Sequence, residues 1–144
     1  EIQVLCDKII TSANTLIIPE TLDQLIRGGR LTPVAAKLGK LLKITPVLQI
    51  SKKTSGRIDT LDKVRTFRRA LSRAMEQMSV DHVGEEDDWS IPIAHVDHPD
   101  MAETLKQQMM EKFPKAAIDI IPLCSPVAAH TGLGSICIQY FRKF

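Results

Sequence analysis

The sequence has few of the features that mark a disulfide framework, a metal centre or a membrane segment. Its three cysteines, Cys6, Cys124 and Cys137, are odd in number and lack a Cys-x-x-Cys spacing. We therefore expect buried free thiols in a reducing cytoplasm rather than disulfides or a zinc site. The apolar runs are only a few residues long, so we expect neither a transmembrane helix with stable membrane insertion nor a signal peptide.

Aromatic residues and the motifs of common cofactor sites are also scarce. Aromatic side chains make up only 4% of the chain. There is no Gly-x-Ser-x-Gly elbow, no phosphate-binding loop and no dinucleotide fingerprint, so the sequence favours no serine hydrolase, and we predict no cofactor. His95 and His98 lie on either side of Asp97. A zinc site needs further ligands that the sequence does not offer nearby, and we predict no metal.

The residues that are present suit a globular domain, with 44% hydrophobic and 25% charged residues over a length of 144. That composition and length predict one domain with a sizeable core. The charge is unevenly placed: residues 27–73 hold 13 of the 19 Lys and Arg residues, and residues 74–104 hold nine acids and no Lys or Arg. A basic segment can attract an acidic partner, although charged helix faces usually serve only to meet water.

The spacing of apolar residues predicts alternating helices and strands. A stripe at helical spacing predicts a helix over about 63–78, with Asp62 as its N-cap. The stripe consists of Val64, Phe67, Leu71, Ala74 and Met78. Other predicted helices cover 1–13, 21–28 and about 98–113, and the predicted strands are 15–18, 46–51, 57–61, 90–96, 117–123 and 135–140. This order predicts an α+β fold, an α/β two-layer arrangement. It has a mixed five- or six-stranded sheet with helices packed mainly on one face.

A double glycine lies in the first third of the chain. Thr21-x-x-Gln24 has the form of a capping box, and Gly28-Gly29 follows where a short helix would end. Glycine readily takes the left-handed conformation of many helix ends, so we predict that this turn ends the helix and holds Arg30 close to the fold. A second helix is predicted to follow, with Thr32 as its N-cap. Its apolar face is Val34, Leu38, Leu41 and Leu42.

The segment His130-Thr-Gly-Leu-Gly134 is the strongest candidate for a binding site. We predict that it belongs to a loop from Ser125 to Gly134 between two strands. Gly132 and Gly134 would let backbone N–H groups turn toward an anion, while Thr131 and His130 would offer a hydroxyl and an imidazole. These groups suit a carboxylate or an acyl phosphate. A structural turn with a packed histidine is the alternative interpretation.

Three blocks of the sequence together resemble the C-terminal half of DegV-family proteins. They are GGRLTPVAAKLGKLLKITPVLQI, SGRIDTLDKVRT and HTGLG, and the resemblance extends over about residues 15–144. It implies a bacterial fatty-acid-binding protein with two domains, of which residues 1–144 form the C-terminal one and the N-terminal one is absent. The chain begins at Glu1 within a helical pattern, and we interpret that start in the same way.

The resemblance also implies where a ligand would lie. A long-chain fatty acid would be buried between the two domains, with its carboxylate at His130, Thr131 and Gly132. Arg30 and Arg65 would lie near the mouth of the site, where they could meet a kinase or a phosphate. The protein would be a binding subunit rather than an enzyme, and it would present the fatty acid to a fatty-acid kinase catalytic subunit. The acyl phosphate formed there would enter phospholipid synthesis.

Two other functions stay open on the sequence alone. The basic helix at 63–73 could belong to a nucleic-acid-binding module, although the scarcity of aromatic residues and the absence of a known motif favour no nucleic-acid partner. His130 could instead act as an acid or base in an enzyme for a small anion. The sequence supplies no second catalytic group for that role.

Overall fold

A mixed sheet of six strands forms the centre of the fold. The computed structural model describes residues 1–31, 33, 37, 44–85 and 88–144. Within these residues the strands are β1 (Asn14–Ile18), β2 (Thr45–Ser51), β3 (Asp59–Val64), β4 (Trp89–His95), β5 (Ala117–Pro122) and β6 (Ile136–Arg142). Their order is β3-β2-β1-β6-β4-β5, with β4 and β5 parallel and the other neighbours antiparallel. The predicted mixed sheet is confirmed.

Helices lie on both faces of this sheet. The described part of the chain forms α1 (Ile2–Ser12), α2 (Asp23–Arg27), α3 (Phe67–Val80), α4 (Pro99–Lys112) and α5 (Ser125–Thr131). None of these helices combines the length and the apolar character needed to cross a bilayer. The helix predicted after Thr32, with its face at Val34, Leu38, Leu41 and Leu42, lies outside the described residues.

Side chains that alternate along the strands build one apolar cluster on each face of the sheet. The larger cluster joins the sheet to α3 and α4. Its buried members include Leu16, Ile18, Leu71, Ala74, Met78, Ile91, Ile93, Leu105, Met109, Ile136 and Ile138. The smaller cluster joins the opposite face to α2, and its buried members among the described residues are Ile17, Leu22, Leu25, Leu48, Ala94 and Cys137. The two long helices therefore share one face, as predicted for the α+β class.

The start of α3 differs from the prediction. Asp62 was expected to cap this helix, but it lies in β3, which continues to Val64. Pairing of Thr45 with Val64 and of Val47 with Asp62 keeps this segment extended. Thr66 is the N-cap instead, because its Oγ1 accepts a hydrogen bond from Arg69 N at 3.2 Å.

Asp62 has another role in the fold. Its carboxylate accepts hydrogen bonds from Lys63 N at 2.7 Å and from Arg73 Nε at 2.8 Å. The bond from the Lys63 amide, supported by the Arg73 guanidinium, lowers the pKa of Asp62. The side chain therefore links β3 to α3 rather than beginning the helix.

The short helix α2 also departs from the predicted capping. The helix begins after Leu22, and Thr21 makes no cap, so the capping-box prediction is wrong. Leu22 and Leu25 are both buried, which indicates that burial rather than a polar cap sets where the helix begins. At its end Gly29 takes the predicted left-handed conformation with φ 61°, whereas Gly28 stays helical with φ −76°.

The cysteines are not all buried, contrary to the prediction. Cys6 on α1 and Cys124 before α5 are exposed, while Cys137 in β6 is buried. Burial raises the pKa of the Cys137 thiol to about 12, so this thiol stays protonated and inert at neutral pH. No residue of α1 is buried.

A buried hydrogen-bond network anchors the end of α3 to the centre of the sheet. Tyr140 OH donates to Asp81 Oδ2 at 2.6 Å and accepts from Asn14 Nδ2 at 2.8 Å. Asp81 also accepts from Gln77 Nε2 at 3.2 Å. Burial and the Asp81 carboxylate raise the pKa of Tyr140, so the phenol keeps its proton at neutral pH. The network thus joins β1, β6 and the residue just after α3.

Replacement of Tyr140 by Phe should destabilise the chain by about 1–3 kcal/mol, because it leaves Asp81 and Asn14 without their shared partner in a buried site. The aromatic ring stays in the core, so packing should change little. The measurement is the free energy of unfolding in urea. The control is Ser79→Ala, which removes an exposed hydroxyl near the end of α3. It should change that free energy by less than about 0.5 kcal/mol. Equal effects of the two changes would contradict the role given to the network.

Candidate functional site

The candidate motif begins on a helix, not in a loop as predicted. Ser125–Thr131 form α5, and Gly132 ends the helix with φ 84°. Pro126 lies in the first turn, and two alanines come soon after it, which are both features that favour a helix. The sequence therefore contains signals for this helix, whereas the two glycines at the end of the segment favour a loop.

The two glycine amides do not face outward, contrary to the prediction of an anion-binding loop. Gly132 N donates to Ala128 O at 2.8 Å, and Gly134 N donates to Val96 O at 2.9 Å. Both amides are therefore used inside the fold. The donor groups that the motif can still offer a ligand include the side chains of His130 and Thr131.

Thr131 is a buried residue with an unused hydroxyl. It is only 2% exposed, and its Oγ1 has no hydrogen-bond partner among the described residues. Its carbonyl oxygen accepts a hydrogen bond from Ser135 Oγ at 2.7 Å, which fixes the backbone at this position. A buried polar atom without a partner costs about 1–3 kcal/mol, so such an atom points to a ligand or a water molecule.

His130 is half-buried, and its imidazole lies against the turn after α2. A β-carbon built on Gly28 would come within 2.6 Å of His130 Nδ1. Among the described residues, neither ring nitrogen of His130 makes a hydrogen bond. Because α5 ends here, its carbonyl end favours a positive charge at this residue rather than an anion. An anionic ligand would therefore depend on the imidazole and not on the helix.

Three residues that the sequence did not assign to this site lie against the motif from other elements. The Glu20 carboxylate contacts Gly134, and the aliphatic part of Gln24 packs beside Gly132. His98 Nδ1 makes a hydrogen bond with Gly134 O at 3.1 Å. No local pattern predicts their contacts with the motif, because the partners lie far away in the sequence.

The histidine pair considered as metal ligands is used in hydrogen bonds. His98 N donates to His95 Nδ1 at 3.1 Å, and His98 Nδ1 is engaged by Gly134 O. Over the described ranges, no three His, Cys, Asp or Glu side chains come together in a group that could hold a metal ion. The pair therefore serves the turn before α4 and the candidate motif.

Arg30 and Arg65 lie at opposite ends of β3. Arg30 lines an open cleft of about 470 Å³ together with Arg57 and Ile58, which precede that strand. Arg65 comes directly after Val64, the last residue of the strand. At roughly 3.3 Å per residue, the six-residue strand between them is about 20 Å long. Both arginines are exposed, but only Arg30 belongs to the turn that packs against His130.

Exposed apolar side chains lie on the same elements as the motif and on α2. Ile26 on α2 and Val127 on α5 are each 40% exposed, and Leu133 beside Gly132 is 72% exposed. The half-buried Leu31 and Ile58 continue the apolar character along the same face of the sheet. Polar donors set within an apolar rim suit a ligand that has both a charged and an apolar part.

Comparison with known proteins agrees with this architecture, an α+β domain with one mixed sheet. A family model described as "Uncharacterised protein, DegV family" matches residues 1–143. A DegV domain-containing protein of Streptococcus pneumoniae is 30% identical over 131 residues, which cover 91% of this chain and 45% of that protein. The chain therefore belongs to the DegV family.

Solved structures share the fold. A fatty acid binding DegV family protein from Streptococcus agalactiae has a TM-score of 0.82 at 29% identity, covering 99% of this chain and 48% of its own. The Fatty Acid Kinase (Fak) B3 protein of Streptococcus pneumoniae, solved with linoleic acid, has a TM-score of 0.79 at 21% identity and matches over 99% and 47% of the two chains. The chain spans about half the length of the relatives it matches.

Proposed function

We propose that residues 1–144 form the C-terminal domain of a two-domain protein that binds a long-chain fatty acid between its domains. The observation that carries the proposal is the pair of unused donors, His130 and Thr131, set within exposed apolar residues. Membership of the DegV family supports it, as does the likeness to a fatty acid binding protein that is about twice as long.

The carboxylate would be held at the end of α5. His130 would donate one ring N–H to it, and Thr131 Oγ1 would gain the partner that it lacks in the free domain. Gly132 would contribute through its backbone, because its φ of 84° turns the chain at the end of α5 and Gln24 lies beside it. Each hydrogen bond to a charged group is worth about 1.5–3 kcal/mol, so the head group would set orientation more than total affinity.

The acyl chain would supply most of the affinity. Each buried methylene contributes about 0.8 kcal/mol, so a long chain needs a continuous apolar surface on both sides. Ile26, Val127 and Leu133 offer one such side, and they are too exposed to enclose a chain alone. A second domain over this face would complete the cover, in agreement with the half-length match to the relatives.

The bound fatty acid would be presented to a separate kinase in the cytoplasm, where the acyl phosphate would serve phospholipid synthesis. The likeness to a protein of the fatty acid kinase system supports this role. Arg30 would lie beside the head group, and the exposed Arg65 would meet the kinase at the far end of β3. The chain would act as a binding subunit, with no reaction of its own.

The two alternatives receive less support from the contacts. Arg69 pairs with Glu76 at 2.6 Å and Arg73 with Asp62 at 2.8 Å, so the basic face of α3 is partly neutralised and less suited to nucleic acid. No carboxylate or second histidine bonds to His130 among the described residues, which leaves an enzyme without an orienting group for its base.

Native mass spectrometry of the intact two-domain protein, purified from its host, tests the proposal directly. We expect a mass increment equal to one fatty acid of long chain length, released on denaturation. Extraction and chromatography would then identify the acid. A protein that carries nucleic acid, or that stays empty after incubation with fatty acids, would contradict the proposal.

Replacement of His130 by Ala in the intact protein should weaken fatty-acid binding by roughly 10- to 150-fold, which corresponds to one hydrogen bond to a charged group. Binding should survive, because the acyl chain stays buried. Phosphorylation by the kinase should fall further, since transfer needs a fixed carboxylate. Calorimetric titration and kinase-coupled turnover measure the two effects.

Arg65→Ala is the matched comparison for that experiment. It should leave the lipid affinity nearly unchanged and weaken kinase docking in a salt-dependent manner, because an exposed charge acts mainly on association. If His130→Ala left both lipid affinity and turnover unchanged, the motif would be structural only.

Replacement of Thr131 by Val should change stability and binding in opposite directions. The free domain should become slightly more stable, because the change removes a buried hydroxyl without a partner and keeps the side-chain shape. Fatty-acid affinity should fall, because the same hydroxyl would bind the carboxylate. Urea unfolding and calorimetric titration measure the two quantities. Thr104→Val, at an exposed site on α4, should change neither, and an unchanged affinity for Thr131→Val would remove the hydroxyl from the site.

A further inference from the structure

Gly28 has a feature that its backbone conformation does not explain. Its φ of −76° and ψ of −5° are open to any residue, so glycine is not required for the turn. A β-carbon at this position would nevertheless lie 2.6 Å from His130 Nδ1 and 3.2 Å from Gln24 O. The neighbouring Gly29 is the reverse case, because its φ is 61° and a β-carbon there would meet no described residue within 4 Å.

We propose that Gly28 is a positioning residue for His130, and that the missing side chain leaves the space in which the imidazole rests. The ring atoms nearest to Gly28 are Nδ1 and Cε1, so this edge faces the turn and Nε2 lies farther from it. The contact thereby selects which ring nitrogen can reach a ligand. The importance of that selection for fatty-acid binding rests on the function proposed above.

The two backbones at this contact are held by the core. Leu25 in α2 is fully buried, and Thr131 next to His130 is 2% exposed. Separating the two segments would therefore expose buried side chains. The half-buried imidazole makes no hydrogen bond with the described residues, so a methyl group at Gly28 should displace the ring before it displaces either helix.

The turn that contains Gly28 also carries Arg30. Arg30 lies two residues after Gly28, and its backbone N donates to Leu25 O at 3.2 Å, which fixes the turn to α2. The guanidinium stem therefore starts from a backbone that also carries the contact with His130. Gly28 thus fixes the position of the imidazole relative to the turn that carries Arg30.

The first experiment needs no ligand. In the full 144-residue chain labelled with ¹⁵N-histidine, the His130 ring signals are assigned by their loss in His130→Ala. Gly28→Ala should shift those signals and leave the signals of the distant, exposed His82 unchanged. Gly29→Ala is the matched control: it should lower the stability through its left-handed backbone and leave the His130 signals in place.

The second experiment is a double-mutant cycle for palmitate affinity in the intact two-domain protein. Gly28→Ala alone should weaken binding by roughly tenfold, as expected when one hydrogen bond to a charged group is weakened. In a His130→Ala background the same change should have less than about a twofold effect, because the group that it displaces is already absent.

The outcomes separate the two proposals. Unchanged His130 signals in Gly28→Ala, or an equal loss of affinity with and without His130, would overturn the positioning role. Shifted signals with palmitate affinity unaffected by both Gly28→Ala and His130→Ala would support the positioning role and contradict the proposed function of His130.

Discussion

The antiparallel pairing of β1 with β6 fixes which segments of the chain meet at each end of the sheet. Ile18 pairs with Ile136, so the segment leaving β1 and the segment entering β6 lie side by side at one end. The first of these segments continues into α2, and the second comes from α5. A shift of one residue would send every side chain of the strand to the opposite face. The contact between Gly28 and His130 therefore depends on this register.

The two ends of the same strand pair have different chemistry. At one end, Asn14 and Tyr140 bond to each other, and Asp81 bonds to both of them. These bonds tie the two strands to the residue just after α3, and a cleft of about 510 Å³ lies beside them. At the other end, Thr131 keeps a buried hydroxyl without a partner, and His130 keeps free ring nitrogens among the described residues. A buried polar atom without a partner reduces the stability of the domain.

The apolar surface has a matching division. The face under α3 and α4 is filled by a large cluster, and the helices that cover it are long. The other face carries a small cluster, and Ile26, Val127 and Leu133 around it stay exposed. These exposed apolar residues support the proposal that a second domain covers this face.

Features that depend on neighbours in the chain could be predicted from the sequence alone. The stripe of α3, the proline in the first turn of α4 and the left-handed Gly29 all result from local spacing and backbone preference. Other features were decided only by the tertiary structure, because they depend on partners far away in the sequence. Pairing with β2 makes Asp62 part of a strand, and the amide of Gly134 donates a hydrogen bond to the carbonyl oxygen of Val96. The space at Gly28 exists only because the fold places His130 there, and no local pattern records a contact of that kind.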